Sequence, residues 1–382
     1  MPDTPPEHIN KLTVLQVLPA LEAGGVERGT LEVAQALVRR GHRSLVASAG
    51  GRLVNRLIAD GSEHIMLPLG TKSLFTLRHI PRLRNILVEE NVSILHARSR
   101  MPAWACYLAL RSMPDNHRPH FVTTVHGPYT INFYSGIMVR GERVIAISDY
   151  IRNYILDNYP GTDGARIQLI HRGVSPEQFP HGYQPPAAWL AGWRKQLPHL
   201  ADKYIITLPA RITRWKGQED FIEIIGAAKK CGLPVHGLVV GGPHPDKNSF
   251  YQRLVASVRN KGLADDITFL GHRDDLKDIM AISAVVLSLA REPEAFGRTA
   301  LEALCLGTPV IAYDHGGGAE ILGAIFPAGL VKPFDQSAIV DKLQEFFNNA
   351  PLVPYNNSFT LDAMLQKTLR LYESLALNNS VQ

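Results

Sequence analysis

Short apolar runs alternate with longer amphipathic stretches along almost the whole chain. Leu12–Leu18 reads as a buried strand, and Glu27–Arg40 follows with Leu31, Ala34, Leu37 and Val38 at helical spacing. Ser44–Ala49, Val92–His96, Phe121–Val125, Arg143–Ile147 and Ile167–Ile170 continue as strands, with helices at Gly51–Asp60, Met101–Arg111 and Asp149–Asn158. Residues 175–202 break the rhythm with five prolines and no clear strand, which predicts a linker. The alternation then restarts, with strands at Tyr204–Leu208, Val235–Val240, Ile267–Leu270, Ala284–Leu289 and Pro309–Ala312. Helices fall at Gly217–Cys231, Ser249–Lys261, Leu276–Ala281, Thr299–Leu306 and Ser337–Asn348, and an amphipathic stretch at Thr360–Leu375 closes the chain. Strands alternating with helices imply parallel βαβ units. The expected fold class is therefore α/β, with two Rossmann-like doubly wound domains at 1–183 and 203–355 facing a central cleft. Ligands of such sheets bind beyond the carboxyl ends of the strands, so the chemistry is expected in the loops that follow them.

Composition narrows this picture. With 382 residues, 45% hydrophobic and 20% charged, the chain suits a soluble two-domain enzyme and leaves disorder only for its ends. No signal peptide and no apolar run near the roughly 18–20 residues of a membrane span are visible. Cys106, Cys231 and Cys305 match neither a metal-ligand spacing nor a disulfide framework, so a reducing cytoplasm is expected. The net charge of +5 lies wholly in residues 1–180, with 20 Lys and Arg against 15 Asp and Glu; residues 181–382 hold 20 of each. A basic half suggests an anionic partner, or simple solubility.

The first loop, Ala23-Gly24-Gly25-Val26-Glu27-Arg28-Gly29, opens a helix but lacks the G-x-G-x-x-G spacing, and no acid ends the second strand. Nicotinamide binding is thereby disfavoured. Gly24-Gly25 reads either as a tight turn or as a place where a ligand approaches the backbone. His126-Gly127 follows a strand, where a histidine is as readily structural as functional. Arg211, at a strand end, and Lys216-Gly217, opening the next helix, are two cations five residues apart; they form a diphosphate clamp or a solvated loop.

The most informative segment is Glu294-Ala295-Phe296-Gly297-Arg298-Thr299-Ala300-Leu301-Glu302. Gly297 frees the backbone before a helix, so the N–H groups of Gly297, Arg298 and Thr299 would face a phosphate. Glu294 and Glu302 can each accept from neighbouring sugar hydroxyls. Solvation explains Glu302 poorly, because Ala300, Leu301, Ala303 and Leu304 surround it. Gly271-His272-Arg273 would place backbone around a nucleobase, and Gly316-Gly317-Gly318 suggests close ligand approach or a mobile loop. Asp274-Asp275 reads as a solvated helix start.

Together these residues resemble family 4 of the retaining glycosyltransferases, of GT-B architecture, over nearly the whole chain. The E-x7-E arrangement of Glu294 and Glu302 is the most specific element. Arg211 with Lys216-Gly217, Gly24-Gly25, His126-Gly127 and His171-Arg172-Gly173-Val174 support it; Arg172 and Arg298 depart from the family's usual residues. The resemblance implies that Glu294 contacts the donor sugar, Glu302 the ribose, and Arg211 and Lys216 the diphosphate. It further implies His126 against the sugar, Gly24-Gly25 near the phosphates and acceptor, and Phe296 within the binding segment. It also implies that residues 356–382 cross back onto the first domain, that domain closure completes the site, and that neither metal nor cofactor is needed. A front-face displacement is the route the family favours. His96-Ala97-Arg98-Ser99-Arg100-Met101-Pro102-Ala103-Trp104 resembles bacterial members that build lipopolysaccharide or other surface polysaccharides.

The expected partners are a nucleotide diphosphate-sugar donor and a glycan or lipid-linked acceptor, with no nucleic acid, since aromatic interleaving is absent. Residues 72–84 mix cations with apolar side chains and read either as a peripheral contact with an anionic membrane or as a solvated helix interrupted at Pro81. The rival readings are a nucleotide-sugar epimerase of the same architecture and a non-catalytic nucleotide-sugar-binding protein.

Overall fold

The amphipathic periods fold as alternating strands and helices in a computed structural model, which describes residues 11–22, 24–71, 74–243 and 248–378. One compact unit takes the chain up to His171 and again from Asp362; the other takes Arg172–Leu361.

The first unit holds β1 (Thr13–Val17), α1 (Gly25–Arg39), β2 (Arg43–Ser48), α2 (Val54–Ala59), β3 (Glu63–Met66), α3 (Ile80–Glu89), β4 (Ile94–Ala97) and α4 (Arg100–Arg111). It continues with β5 (His120–Val125), β6 (Arg143–Ala146), α5 (Asp149–Asn158) and β7 (Ile167–Leu169). The described strands form one parallel sheet in the order β3-β2-β1-β4-β5-β6-β7. Buried apolar residues such as Ile94, Leu95 and Ala97 of β4 are what a strand covered on both faces requires. β3 carries no such run; it reads Glu-His-Ile-Met on the sheet edge, so hydrophobic patterning does not reveal it.

Pro81 does not interrupt a helix but lies in the first turn of α3, where its missing N–H costs nothing. Leu83, Ile86 and Leu87 turn inward, and Arg82 and Arg84 remain exposed. Lys72 and Ser73 of that stretch lie outside the described residues.

The closing helix belongs to this unit. Helix α13 (Leu361–Asn378) brings Tyr372 to the end of β4, where its hydroxyl meets His96 Nδ1 at 2.6 Å. His96 Nε2 meets Thr124 Oγ1 at 2.7 Å, and Arg98 Nε donates to Gln16 Oε1 at 2.8 Å. All five of these residues are buried, so the polar network joins the helix to three strands of the sheet and its satisfied groups specify where the helix docks. Thus His96 and Arg98, from the segment resembling surface-polysaccharide enzymes, hold the fold. Glu373 adds contacts to Arg40 at 3.3 Å and His42 at 3.5 Å.

The second unit holds α6 (Ala187–Gln196), β8 (Tyr204–Pro209), α7 (Gln218–Lys230), β9 (Val235–Val240), α8 (Asn248–Asn260), β10 (Ile267–Gly271), α9 (Leu276–Ile282) and β11 (Val285–Ser288). Then come α10 (Arg298–Leu306), β12 (Val310–Tyr313), α11 (Gly316–Ile325), β13 (Leu330–Val331) and α12 (Gln336–Asn348). Its described strands are again parallel, in the order β10-β9-β8-β11-β12-β13.

Two expectations are corrected here. The stretch read as a linker contains α6, whose Trp193 packs with Leu200, Ile205, Leu238 and Ile279 while Trp189 stacks on it at 5.2 Å. The Gly316–Gly318 run is not a loop but the first turn of α11. Low helix propensity concealed it, and tertiary contacts override that propensity.

Gly173 shows why its motif needs glycine. A Cβ there would fall 2.1 Å from the Thr360 carbonyl oxygen. Around that close approach Val174 N–H donates to Phe359 O at 3.1 Å and Leu361 N–H to Val174 O at 3.0 Å.

Candidate active site

At the carboxyl ends of β8 and β11 a small pocket is lined by Pro209, Ala210, Lys216, Leu289, Glu294 and Thr299, among others. Three chain segments converge there. The β8 strand runs out at Pro209, and a short turn at Arg214–Lys216 leads to α7 through Gly217, whose φ of +77° caps the helix. No side chain fits at Gly217, because a Cβ would lie 2.1 Å from Leu289 O in the loop after β11. Glycine here allows the two loops to touch, which brings residues 216 and 294 together.

The Lys216 ammonium donates to a Glu294 carboxylate oxygen, and both side chains are 20% exposed. It also lies over the Trp215 ring, 4.1 Å from the centroid, a cation–π contact. A cation and a carboxylate thus stand in one partly dry site with hydrogen-bonding capacity to spare.

The Glu294 loop is held from behind by α11. Gly317 N–H donates to Glu294 O at 2.8 Å, and a Cβ on Gly317 would come within 2.5 Å of Phe296 Cα. The glycine triplet permits close approach, but of the protein's own backbone. Gly297, at φ +90°, then turns the chain into α10, with Thr299 beside the pocket. From Ala300 to Leu306 every α10 residue is buried, including Glu302.

The remaining residues singled out from the sequence fall as follows. Arg298 Nε donates to Glu302 Oε1 at 3.1 Å, one helical turn apart, so that the unusual arginine neutralises the buried carboxylate. Phe296, expected within the binding segment, has a buried ring that lies edge-on to Phe359 at 6.0 Å. Arg211 is exposed and pairs with no carboxylate among the described residues. Gly241, at φ +145°, lets the end of β9 pass 2.2 Å from Ala210 O as measured from its would-be Cβ, which sets the backbone beside Arg211.

Gly271 adopts φ +66°, and the exposed His272 ring lies 3.4 Å from Asp274. Asp275 is not merely solvated. It accepts from Arg273 at 2.8 and 2.6 Å and from Trp189 Nε1 at 2.7 Å, and the Arg273 guanidinium holds its carboxyl below the usual range.

In the first unit, Gly24 caps α1 at φ +151°, and a Cβ on Gly25 would meet nothing within 4 Å. Ala23 lies outside the described residues. His126 follows β5, its N–H donating to the Tyr129 hydroxyl at 3.3 Å.

Sequence similarity completes this description. The family model "Glycosyltransferase Family 4" matches residues 23–178, and "Glycosyl transferases group 1" matches residues 191–359. The crystal structure of a glycosyltransferase from Rickettsia africae ESF-5 is 31% identical, covers 96% of this chain and 99% of that one, and superposes with a TM-score of 0.83. The chain is a family 4 glycosyltransferase. It is also 29% identical over 250 residues to the lipopolysaccharide core biosynthesis mannosyltransferase LpsB of Rhizobium meliloti, covering 62% of this chain and 66% of that protein. Across the first curated relatives the matched stretch takes in 42% to 66% of their lengths. Anabaena Alr3699/HepE, solved in complex with UDP, shares the fold at 18% identity and a TM-score of 0.79, covering 95% of this chain and 100% of that one.

One residue of the glycosyltransferase escaped sequence reading. Asp220, in the first turn of α7, is 5% exposed and accepts from Arg291 at 3.2 Å, Gln336 at 3.0 Å and the Tyr313 hydroxyl at 3.2 Å. Burial, and after it the Asp220 charge, push the Tyr313 phenol up. Arg291 N–H in turn donates to Trp215 O at 2.7 Å, so Asp220 braces the loop that carries Glu294 against the turn that carries Lys216. An acid in a helix's first turn is so common that no sequence signal marks this one.

Proposed function

We propose that this glycosyltransferase moves a hexose-type sugar from a nucleotide diphosphate-sugar to a glycan or lipid-linked acceptor, retaining the anomeric configuration. The observation carrying this reading is the meeting of Lys216, Glu294 and Thr299 at the carboxyl ends of β8 and β11, beside the start of α10. Breaking the anomeric C–O bond leaves negative charge on the departing diphosphate. Lys216, Arg211 and the first N–H groups of α10 would supply positive ends for that charge, the kind of stabilisation that dominates many enzymatic rates.

Glu294 accepts from donor-sugar hydroxyls in this reading. It also sets the Lys216 ammonium in place before the donor arrives. Glu302, held by Arg298, takes the ribose, and His126 and Gly24-Gly25 serve from the first unit as the family resemblance assigns them. The UDP bound by HepE supports a nucleotide donor, and LpsB supports a role in lipopolysaccharide or surface-polysaccharide synthesis.

Among the described residues no helix is long and apolar enough to cross a membrane. Peripheral contact with an anionic inner membrane face is the further part of the proposal, with the exposed Arg78, Arg82 and Arg84 as its charges. Flotation with phosphatidylglycerol liposomes tests that part; recovery of all protein at the bottom of the gradient removes it. Thermal-shift measurement with UDP-, GDP- and ADP-sugars tests the donor. One class should raise the melting temperature, and product analysis with that donor should give a retained linkage. An inverted product would overturn the retaining assignment.

A further inference from the structure

A second, larger pocket of about 640 Å³ opens in the first unit, lined among others by Tyr107, Phe133, Arg140, Asn158, Tyr159 and Arg166. Val139 and Arg140 lead into β6, and Tyr159–Thr162 leave α5 for β7. The pocket therefore lies toward the amino edge of these strands, opposite the strand end that carries His126.

Its chemistry is one-sided. Two arginines line it, with no Asp or Glu among its described lining residues. Arg140 is exposed, donates to the Tyr107 hydroxyl at 3.4 Å, and lies 5.7 Å from that ring's centroid; Arg111 approaches the same ring at 6.0 Å. Phe133 leans on Trp104, with ring centroids 5.1 Å apart, yet remains 76% exposed. Trp104 is itself fixed, its Nε1 donating to Tyr134 O at 2.9 Å. An aromatic ring braced from behind and open in front offers a flat apolar face. Asn158 and Thr162 add neutral donors and acceptors at the wall. Guanidinium forks beside such a face suit a ring bearing a carboxylate or phosphate.

We infer that this pocket is a secondary binding site for an anionic saccharide, one carrying carboxylate or phosphate groups, that anchors part of the acceptor on the first unit. The choice of a saccharide rests on the glycosyl-transfer reading above; the choice of negative charge rests on the lining. Phe133 stacks on a sugar face in this arrangement, and Arg140 and Arg166 bind its anionic group.

Isothermal titration of the full chain with trigalacturonate, and with neutral maltotriose as its counterpart, tests this. Trigalacturonate should bind, maltotriose should bind at least tenfold more weakly, and Arg140→Ala and Phe133→Ala should each weaken trigalacturonate about tenfold. Both side chains are exposed, so these variants should keep the wild-type melting temperature. Lys216→Ala should still bind trigalacturonate like wild type, and UDP titration on the same samples reports separately on the donor reading. Equal or absent binding of the two trisaccharides overturns the inference. So does binding to phosphatidylglycerol vesicles that depends on Arg140, which would assign the surface to a membrane.

Discussion

Lys216 and Glu294 lie 78 positions apart in the chain, and the ammonium of the first donates to the carboxylate of the second. The two charges neutralise each other, and in the proposed reading a donor diphosphate would compete with Glu294 for the ammonium. Replacing either residue by alanine is expected to lower turnover by about 10²-fold or more, the usual consequence of losing a charge aimed at the transition state. Residues in direct contact do not behave additively. The double variant should therefore lose less than the two single losses combined. Steady-state rates of the four proteins with one donor measure this, and wild-type turnover in either single variant defeats the site assignment.

The glycines at the start of α11 provide a structural comparison one residue apart. Gly317→Ala places a Cβ 2.5 Å from Phe296 Cα, whereas Gly318→Ala meets nothing within 4 Å. Overpacking against backbone typically costs about 1–3 kcal/mol. We expect Gly317→Ala to lower the melting temperature and weaken nucleotide binding by shifting the Glu294 loop, with Gly318→Ala near wild type in both. Equal effects in urea denaturation would show that the loop tolerates displacement.

Asp220 is expected to matter without touching any ligand. Asp220→Ala removes the acceptor of the buried Tyr313 hydroxyl, and an unsatisfied buried group of that kind costs about 1–3 kcal/mol. The half-exposed Arg291 regains water and contributes less. Asp220→Asn keeps one acceptor oxygen and should recover part of the loss. Chemical denaturation reads the stability. Donor KM should rise in Asp220→Ala if the brace positions Glu294, and an unchanged KM would confine Asp220 to the fold.

His236 predicts a pH dependence of stability. It is 1% exposed in β9, its Nε2 lies 2.8 Å from Thr268 Oγ1, and its Nδ1 has no partner among the described residues. Burial, reinforced by the nearby His199, pulls its pKa down from 6.5 to about 4. The unfolded chain therefore takes up the proton first as pH falls. Stability is full above the unfolded value and declines between about 6.5 and about 4, by an amount on the order of 3 kcal/mol. Melting temperatures at pH 7 and pH 5 should diverge less in His236→Gln than in wild type. Equal divergence in both proteins would place the acid sensitivity elsewhere.

His126 provides a test in the first unit. It follows β5 directly, and its backbone is held by Tyr129, so His126→Ala should fold normally. Turnover should fall by about 10²-fold if the imidazole contacts the reacting sugar. A wild-type rate removes it from the site.

Periodicity determined most of this molecule from its sequence. Buried parallel strands are mostly apolar, so β1, β4, β8, β9 and β11 announce themselves, and most helices between them follow from spacing. The loops after those strands carried Lys216, Gly297 and Glu294, because chain order fixes which residues lie at a strand's carboxyl end. Elements without a hydrophobic period stayed hidden: the edge strand β3, the glycine-led α11, and α6 within a proline-rich stretch. Only the tertiary structure decided which distant groups meet. It joined Lys216 to Glu294, turned Arg298 onto Glu302, buried the Phe296 ring and gathered three donors onto Asp220. A side chain's partner depends on loop backbones that approach through glycines at 217 and 317, and such contacts join residues far apart in the chain, where no local pattern records them.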